Sequence, residues 1–421
     1  MTKNMEQLRQ HILTQLDMTR EISDEELAEL IYNEVGIYSR QQGLTLRQRE
    51  QFQKEIYHSL RKLDALQELI DDPSVTEIMV NGAEHIFYEK AGHVIQWDRQ
   101  FYSKEKLEDV IQQIVAAGNK IVNEANPIVD TRLADGSRVN IVLSPIAVDG
   151  SAITIRKFPE HPMTMEQLIK FGAVSPEIVH FLRKLIIAGY NIFVSGGTGA
   201  GKTTFLNALS EFIPAGERLI TIEDSAELQI RSVANIVRME TRNVQMEGVK
   251  EISIRDLIRT SLRMRPDRII VGECRGAEAL DMLQAMNTGH DGSLSTGHAN
   301  SSKDMLRRLE TMVLMGMDLP VSAIRGQIAS GIDILVHLGR MRDCSRKLLN
   351  VDEIDGIKDG EIQLHSIYQF IEQNEEKYSN CNEREAGIWK QTKKKERVTG
   401  IWKQTGKLEH TDKLERAGLY L

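Results

Sequence analysis

Apolar residues recur at two different spacings along this chain, and the change of spacing divides it. Through residues 1–64 they return every three or four positions, as in Leu27, Leu30, Ile31 and Val35 behind the capping pattern Ser23-x-x-Glu26. That spacing predicts an N-terminal helical segment, and Arg47 to Leu63 continues it. From Leu66 short alternating runs take over. Thr76 to Val80, Ile86 to Tyr88, Val94 to Trp97, Val139 to Leu143 and Ala152 to Arg156 read as strands, with Pro145 and Gly150 turning the chain between the last two. Leu107, Val110, Ile111, Ile114 and Val115 share one face of a helix. A small α+β domain is therefore expected over 65–158. Pro159 and Pro162 then break the pattern and Thr164-x-x-Gln167 opens a helix, so 159–171 reads as a linker. Beyond it apolar runs alternate with amphipathic helices over 172–368. The strand candidates are Asn191 to Ser195, Leu219 to Ile222, Ile236 to Met239, Arg268 to Val271 and Ile332 to Leu338. Such alternation predicts an α/β domain with a mostly parallel sheet.

The tail, 369–421, breaks this rhythm. Gly387-Ile388-Trp389-Lys390-Gln391-Thr392 recurs as Gly400-Ile401-Trp402-Lys403-Gln404-Thr405, with Lys393, Lys394 and Lys395 between the copies. Two copies make no solenoid, and the lysine run favours a solvated tail or loosely packed subdomain over a binding element.

Composition narrows the function classes. A chain of 421 residues, 41% hydrophobic and 27% charged, has the make-up of a globular protein of two or three domains. The net charge of −8 argues against a surface built to grip nucleic acid, so no direct nucleic-acid partner is expected. Cys274, Cys344 and Cys381 are too far apart for a disulfide framework or a C-x-x-C zinc set. With no apolar run of about 18 residues and a polar, amphipathic start, a cytoplasmic protein without a membrane span is expected.

The strongest chemical signal is Gly196-Gly197-Thr198-Gly199-Ala200-Gly201-Lys202-Thr203, a P-loop between an apolar strand and a helix. Its glycines let backbone N–H groups converge on phosphate oxygens at the positive end of the helix. Lys202 is expected on the β- and γ-phosphates and Thr203 on Mg²⁺, with Thr204 closing the stretch that lines the nucleotide. Arg268-Ile269-Ile270-Val271-Gly272-Glu273 is an apolar strand ending in an acid, as in a Walker B element. Glu273 is placed on Mg²⁺ through water or on the attacking water. Thr221-Ile222-Glu223-Asp224-Ser225-Ala226-Glu227 is a second strand ending in carboxylates, and a solvated acidic turn is its plainer reading. Gly289 to His298 sets His290 and His298 around a glycine-rich turn and short strand, and nothing there spaces ligands for zinc.

In this order the four elements resemble the type II/type IV secretion ATPase superfamily, from about Leu69 to Leu338. Within it the chain is most similar to the tight-adherence (Flp) pilus assembly branch, the CpaF-like ATPases. Asp130 to Asn140 (DTRLADGSRVN), Ile155-Arg156-Lys157-Phe158, Arg265 to Ile269, Val271 to Arg275 and Leu283 to His290 carry that likeness. The resemblance implies a RecA-like P-loop NTPase domain preceded by a small α+β, PAS-like domain, assembled as a homohexamer with ATP and Mg²⁺ as cofactors. It implies that Glu223 is the general base, supported by Asp224 and Glu227, and that Glu273 is the Walker B acid. His298, with His290 behind it, would couple the γ-phosphate region to movement of the sheet. The expected partners are inner-membrane platform proteins of a pilus or secretion apparatus, which would hold the chain at the inner face of the cell membrane. Two departures stand out: the tetracysteine zinc element of related branches is missing, and the tail diverges from about Tyr368, although Gly406 to Leu419 resembles a short closing helix.

Arg132, Arg138 and Arg156 lie 46 to 70 residues before Lys202 and so outside the P-loop. They read either as surface partners of Asp130 and Asp135 or as guanidinium groups that reach the phosphates and complete the site. Three functions follow: a motor for pilus assembly or protein secretion, a conjugative DNA-linked transport ATPase, or a nucleotide-binding scaffold without turnover. Possession of both Glu223 and Glu273 weighs against the last.

Overall fold

The computed structural model describes residues 3–16, 20, 22–90, 92–158, 162–242, 250–373 and 398–421. The first copy of the repeat, Cys381 and Lys393 to Lys395 lie outside them. The chain divides into two compact units, Met1–Glu160 and His161–Leu421.

The first unit begins with α1 (Lys3–Gln15), α2 (Asp24–Gln42) and α3 (Leu46–Arg61). The Ser23 side chain accepts from Glu26 N–H, Gly43 ends α2 in the left-handed region at φ 65°, and Thr45 and Gln48 close a capping box on α3. These stops leave three short amphipathic rods whose apolar stripes meet at Leu8, Ile12, Leu27, Ile31, Val35 and Ile56. After α4 (Gln67–Asp71) come β1 (Val75–Asn81), β2 (His85–Lys90), β3 (His93–Gln96), α5 (Lys104–Ala117), β4 (Ile128–Arg132), β5 (Arg138–Val142) and β6 (Ala152–Arg156). They form an antiparallel sheet in the order β3-β2-β1-β6-β5-β4. Alternation puts Ile78, Val80, Ile86, Val139, Ile141, Ile153 and Ile155 on one face, where they bury the apolar face of α5. Strand β4 is absent from the pattern-based reading because only Ile128 and Val129 of its five residues are apolar.

The second unit runs α6 (Met165–Lys170), α7 (Pro176–Ile187), β7 (Ile192–Gly196), α8 (Lys202–Ser210), β8 (Leu219–Glu223), β9 (Ile236–Glu240), α9 (Ile254–Ser261) and β10 (Arg268–Val271). It continues with α10 (Glu278–Asn287), β11 (Leu294–His298), α11 (Ser302–Gly316), α12 (Val321–Gly331), β12 (Ile334–Arg340), β13 (Arg346–Lys358), β14 (Glu361–Glu372), β15 (Gly400–Gln404) and α13 (Asp412–Arg416). The sheet order is β15-β14-β13-β12-β7-β11-β10-β8-β9. From β9 to β12 every pairing is parallel, and β13, β14 and β15 add an antiparallel edge. Central strands β7, β8 and β10 are buried at every position, as expected of strands covered on both faces. Ile192 and Val194 pack on one face of the sheet and Phe193 on the other.

The end of the chain corrects the solvated-tail expectation for 398–421. The second repeat copy is strand β15, paired with β14 from Tyr368↔Gln404 to Glu372↔Gly400. Trp402 donates from Nε1 to the Leu348 carbonyl at 2.8 Å, and Leu408 and Leu414 enter the main apolar core. Edge pairing and three apolar anchors outweigh a polar composition that suggested solvent. Among the described residues no helix is long and apolar enough to cross a membrane.

Candidate functional site

Buried strand β7 delivers the chain into the glycine-rich loop at its carboxyl end. Gly199 and Gly201 take φ 71° and 90°, left-handed values that strain any residue with a Cβ. Gly201 is also the N-cap of α8 and supplies no side-chain hydrogen bond there. The first N–H groups of α8 therefore stand at the positive helix end without a side-chain cap, the arrangement that suits an anion. Thr203 and Thr204 are half-buried on that first turn.

Lys202 opens α8 and is only 7% exposed. Its Nζ donates to the Gly197 carbonyl at 3.2 Å and stands 3.2 Å from Nδ1 of His298. Burial pulls its pKa down, Glu273 opposes that, and Arg275 adds to it. His298 ends β11, and its Nε2 lies 2.9 Å from Oε1 of Glu273, the residue two places beyond β10. Burial, reinforced by Lys202, lowers the His298 pKa. Parallel pairing causes the meeting: β11 lies between β7 and β10, so the residues at their carboxyl ends become neighbours.

Glu223 ends β8 and is 4% exposed. Its Oε2 accepts the N–H groups of Glu227 at 2.7 Å and Leu228 at 3.0 Å. Ile222 pairs with Val271, which sets Gly272 against Glu223, and a Cβ at Gly272 would fall 2.7 Å from Glu223 Cγ. The glycine before Glu273 is thus needed for the other carboxylate to fit. Arg275 ties the two acidic boxes together: Nη2 donates to Glu273 Oε2 at 2.7 Å, and Nη1 lies 3.6 Å from Asp224.

His290 is not part of this cluster. It precedes β11 instead of ending it, so it sits at the opposite end of the sheet, its Nδ1 3.1 Å from the Ala285 carbonyl. Arg132, Arg138 and Arg156 belong to the first unit. Register places Arg132 opposite Arg138 and Arg138 opposite Arg156, one row across β4, β5 and β6. The row continues onto β1, where Glu77 stands opposite Arg156, so it carries both signs of charge.

Sequence reasoning missed Arg275 as a bridge and also missed Arg346, whose Nε donates to the Gly199 carbonyl at 3.0 Å from β13. No spacing signal announces Arg346, because it lies 147 residues from the loop it touches.

The sequence pattern of the type II/IV secretion system protein family matches residues 59–410. The chain belongs to that family. A conjugal transfer protein TrbB of Rhizobium radiobacter is 31% identical over 312 residues, which cover 73% of this chain and 93% of the relative. The type IV secretion system protein PtlH of Bordetella pertussis is 32% identical over 324 residues, covering 70% of this chain and 95% of that protein. The structure of the Legionella pneumophila ATPase DotB is 21% identical, covers 70% of this chain and 80% of its own, and superposes with a TM-score of 0.50. It speaks for the RecA-like fold alone.

In this secretion system protein the residues present fit a nucleoside triphosphate with magnesium. The loop offers an N-terminal helix dipole and a lysine whose charge is poorly solvated, both of which a phosphate would answer. Among the described residues no group of three or more His, Cys, Asp or Glu is arranged to hold a metal directly. A phosphate-bound magnesium needs none, since water and phosphate oxygens supply most of its ligands.

Proposed function

We propose that this chain is an ATP-hydrolysing motor that works as a homohexamer at the inner face of the cell membrane. In this reading it powers pilus assembly or protein secretion through inner-membrane platform proteins, and the tight-adherence branch is the assignment its motifs favour. The supporting observation is the convergence of Lys202, His298, Glu273, Arg275 and Glu223 at the carboxyl ends of four neighbouring parallel strands.

Residues 196–204 would wrap the phosphates, with Lys202 answering their charge and the Thr203 hydroxyl turned to the metal. A magnesium ion held through water by Glu273 and the Thr203 hydroxyl would offset the charge of the phosphates. Glu273 would hold the metal's water shell, Glu223 would orient and deprotonate the attacking water, and His298 would report on the γ-phosphate end through Lys202 and Glu273. Arg138 and Arg156, with Arg132 beside them, would supply positive charge to the phosphates from the first unit. We read 159–171 as the linker between the small domain and the ATPase domain of 172–368.

The test is steady-state ATP turnover by the purified chain with and without Mg²⁺, beside Lys202→Ala. Metal-dependent turnover that the variant loses supports the reading, and equal turnover by both proteins sinks it. A second reading, a DNA-linked conjugative transport ATPase, is favoured by the relative named as a conjugal transfer protein. Neighbouring genes decide between them: a prepilin, its peptidase and platform proteins point to pilus assembly, a relaxase and coupling protein to conjugation.

A further inference from the structure

Directly behind the P-loop lies a buried polar chain that the reading above does not use. His337 sits in the middle of β12, opposite Ser195 of β7, and both are buried, at 6% and 0% exposure. Ser195 is the residue before Gly196. Its Oγ is 2.9 Å from Nδ1 of His337. Burial lowers the proton affinity of the imidazole, and its hydrogen bond to the backbone of Asn300, an accepting carbonyl, opposes that fall. A neutral ring with a carbonyl on one nitrogen carries its proton there, so Nδ1 is left to accept from the Ser195 hydroxyl.

Asn300 belongs to the corner that follows His298. Ala299 N–H donates to the Gly196 carbonyl at 3.3 Å, and Ser301 caps α11. Asp304 of α11 and Asp352 of β13 also act on the ring, and the Asp352 Oδ2 accepts from the Ser302 hydroxyl at 2.5 Å. The imidazole is thus wedged between the strand that feeds the P-loop and the corner that presents His298.

We propose that His337 is a positioning residue which ties Ser195 to the Asn300 corner and so holds His298 at its distance from Lys202. This rests on the ATPase reading. The physical reason for a histidine is geometric: a flat ring with one acceptor and one donor on opposite sides spans two elements that an aliphatic side chain would only pack between. Because it touches no phosphate, its loss leaves nucleotide binding intact and shows itself in the step that needs His298 in register. Misplacing a reacting constellation by about 1 Å costs as much as a hundredfold in rate.

Three variants of the full chain separate positioning from packing. Gln at 337 keeps a donor near the Nε2 position and can still reach Asn300, Asn keeps only the Ser195 side, and Leu fills the space with neither. Expected are kcat within about threefold of wild type for His337→Gln and a fall of roughly ten- to a hundredfold for His337→Asn and His337→Leu. KM and the affinity for a fluorescent ADP analogue should be unchanged in all three. Hydrogen–deuterium exchange of nucleotide-free protein gives a readout apart from turnover: the peptide spanning 295–301 should lose protection in His337→Asn and His337→Leu but not in His337→Gln. Equal exchange in all four proteins, or equal kcat for Gln and Asn, overturns the proposal. If wild type itself does not turn over, the ATPase reading fails and the exchange pattern still decides whether His337 holds the corner.

Discussion

The two ends of the second unit's sheet handle charge in opposite ways. At the carboxyl ends of the parallel strands, Lys202 meets a carbonyl and an imidazole, and burial pulls its pKa down. At the amino ends, Lys413 meets Asp333 at 2.7 Å and Asp291 at 3.0 Å and also donates to the Gly189 carbonyl at 3.2 Å. Glu353, 1% exposed, has both oxygens taken by the N–H groups of Glu409 and His410 at 2.8 Å, and Tyr190 donates to the His410 carbonyl at 2.6 Å. Arg268, also buried, pairs with Glu217 and donates to the Ile186 carbonyl at 2.6 Å. One end is closed by the chain's own last residues, and the other leaves positive charge and helix N–H groups facing a space that suits an anion. A fold that satisfies charge so thoroughly at one end has not left it poorly satisfied at the other for want of means. The contrast supports a ligand role for the first end and a stability role for the second.

The largest effects are expected at the arginines proposed to act on the phosphates. Arg138→Ala and Arg156→Ala are each expected to lower ATP turnover by roughly a thousandfold or more, the scale of an arginine acting on phosphates, with the oligomer unchanged by light scattering. Arg132→Ala should follow them with a smaller loss. Near-normal turnover in all three would return the row to surface ion pairing. Next come the acids: Glu223→Gln and Glu273→Gln should keep nucleotide affinity and lose about a hundred- to ten-thousandfold in turnover. Normal turnover by Glu223→Gln alone would reduce the Glu223 box to an acidic turn. Lys202→Ala should cost roughly a hundred- to a thousandfold in turnover with no loss of thermal stability, since it removes a lysine that burial already disfavours. A lowered melting midpoint in that variant would contradict the contrast between the ends.

What the sequence made legible follows from how local each feature is. The P-loop is contiguous, and the carboxylates of Glu223 and Glu273 close apolar strands, so all three could be read without knowing which strands are neighbours. The helix start read at Thr164 and Gln167 is present for the same reason, closed there by a capping box. Arg275, Arg346 and His337 act across strand registers that no spacing encodes. His290 and His298 looked alike in sequence, and only the direction of β11 separates them. The edge strands β4 and β13 to β15 were missed because their polar positions mask the alternation, and the tail because its anchors Trp402, Leu408 and Leu414 are few and widely spaced.

At the closed end the expected effects are on stability. Lys413→Met removes the cation between Asp333 and Asp291 and should cost about 1–3 kcal/mol in urea unfolding, with KM for ATP unchanged. A comparable loss of turnover at unchanged stability would mean that the two ends are not separate in function.

The smallest effect is a pH dependence that tests whether Asp333 is held as the contrast requires. Burial raises its pKa above the ordinary 3.8, while Lys413 and the hydrogen bond from Asn191 N–H oppose that rise. The sign follows from proton counts: just above pH 3.8 the native protein keeps the Asp333 proton that the unfolded chain has released, so stability falls as pH rises through that window. One such proton contributes at most about 1.4 kcal/mol per pH unit. Asp333→Asn keeps an acceptor for the Asn191 N–H and has nothing to titrate, so its unfolding midpoint should fall less steeply than wild type's above pH 3.8. In Lys413→Met the opposing cation is gone, the Asp333 pKa rises further, and the window should widen upward. Urea unfolding of the three proteins across acidic pH reads all of this. Identical pH profiles for wild type and Asp333→Asn would show that Asp333 titrates as it does in the unfolded chain, and that Lys413 offsets its burial in full.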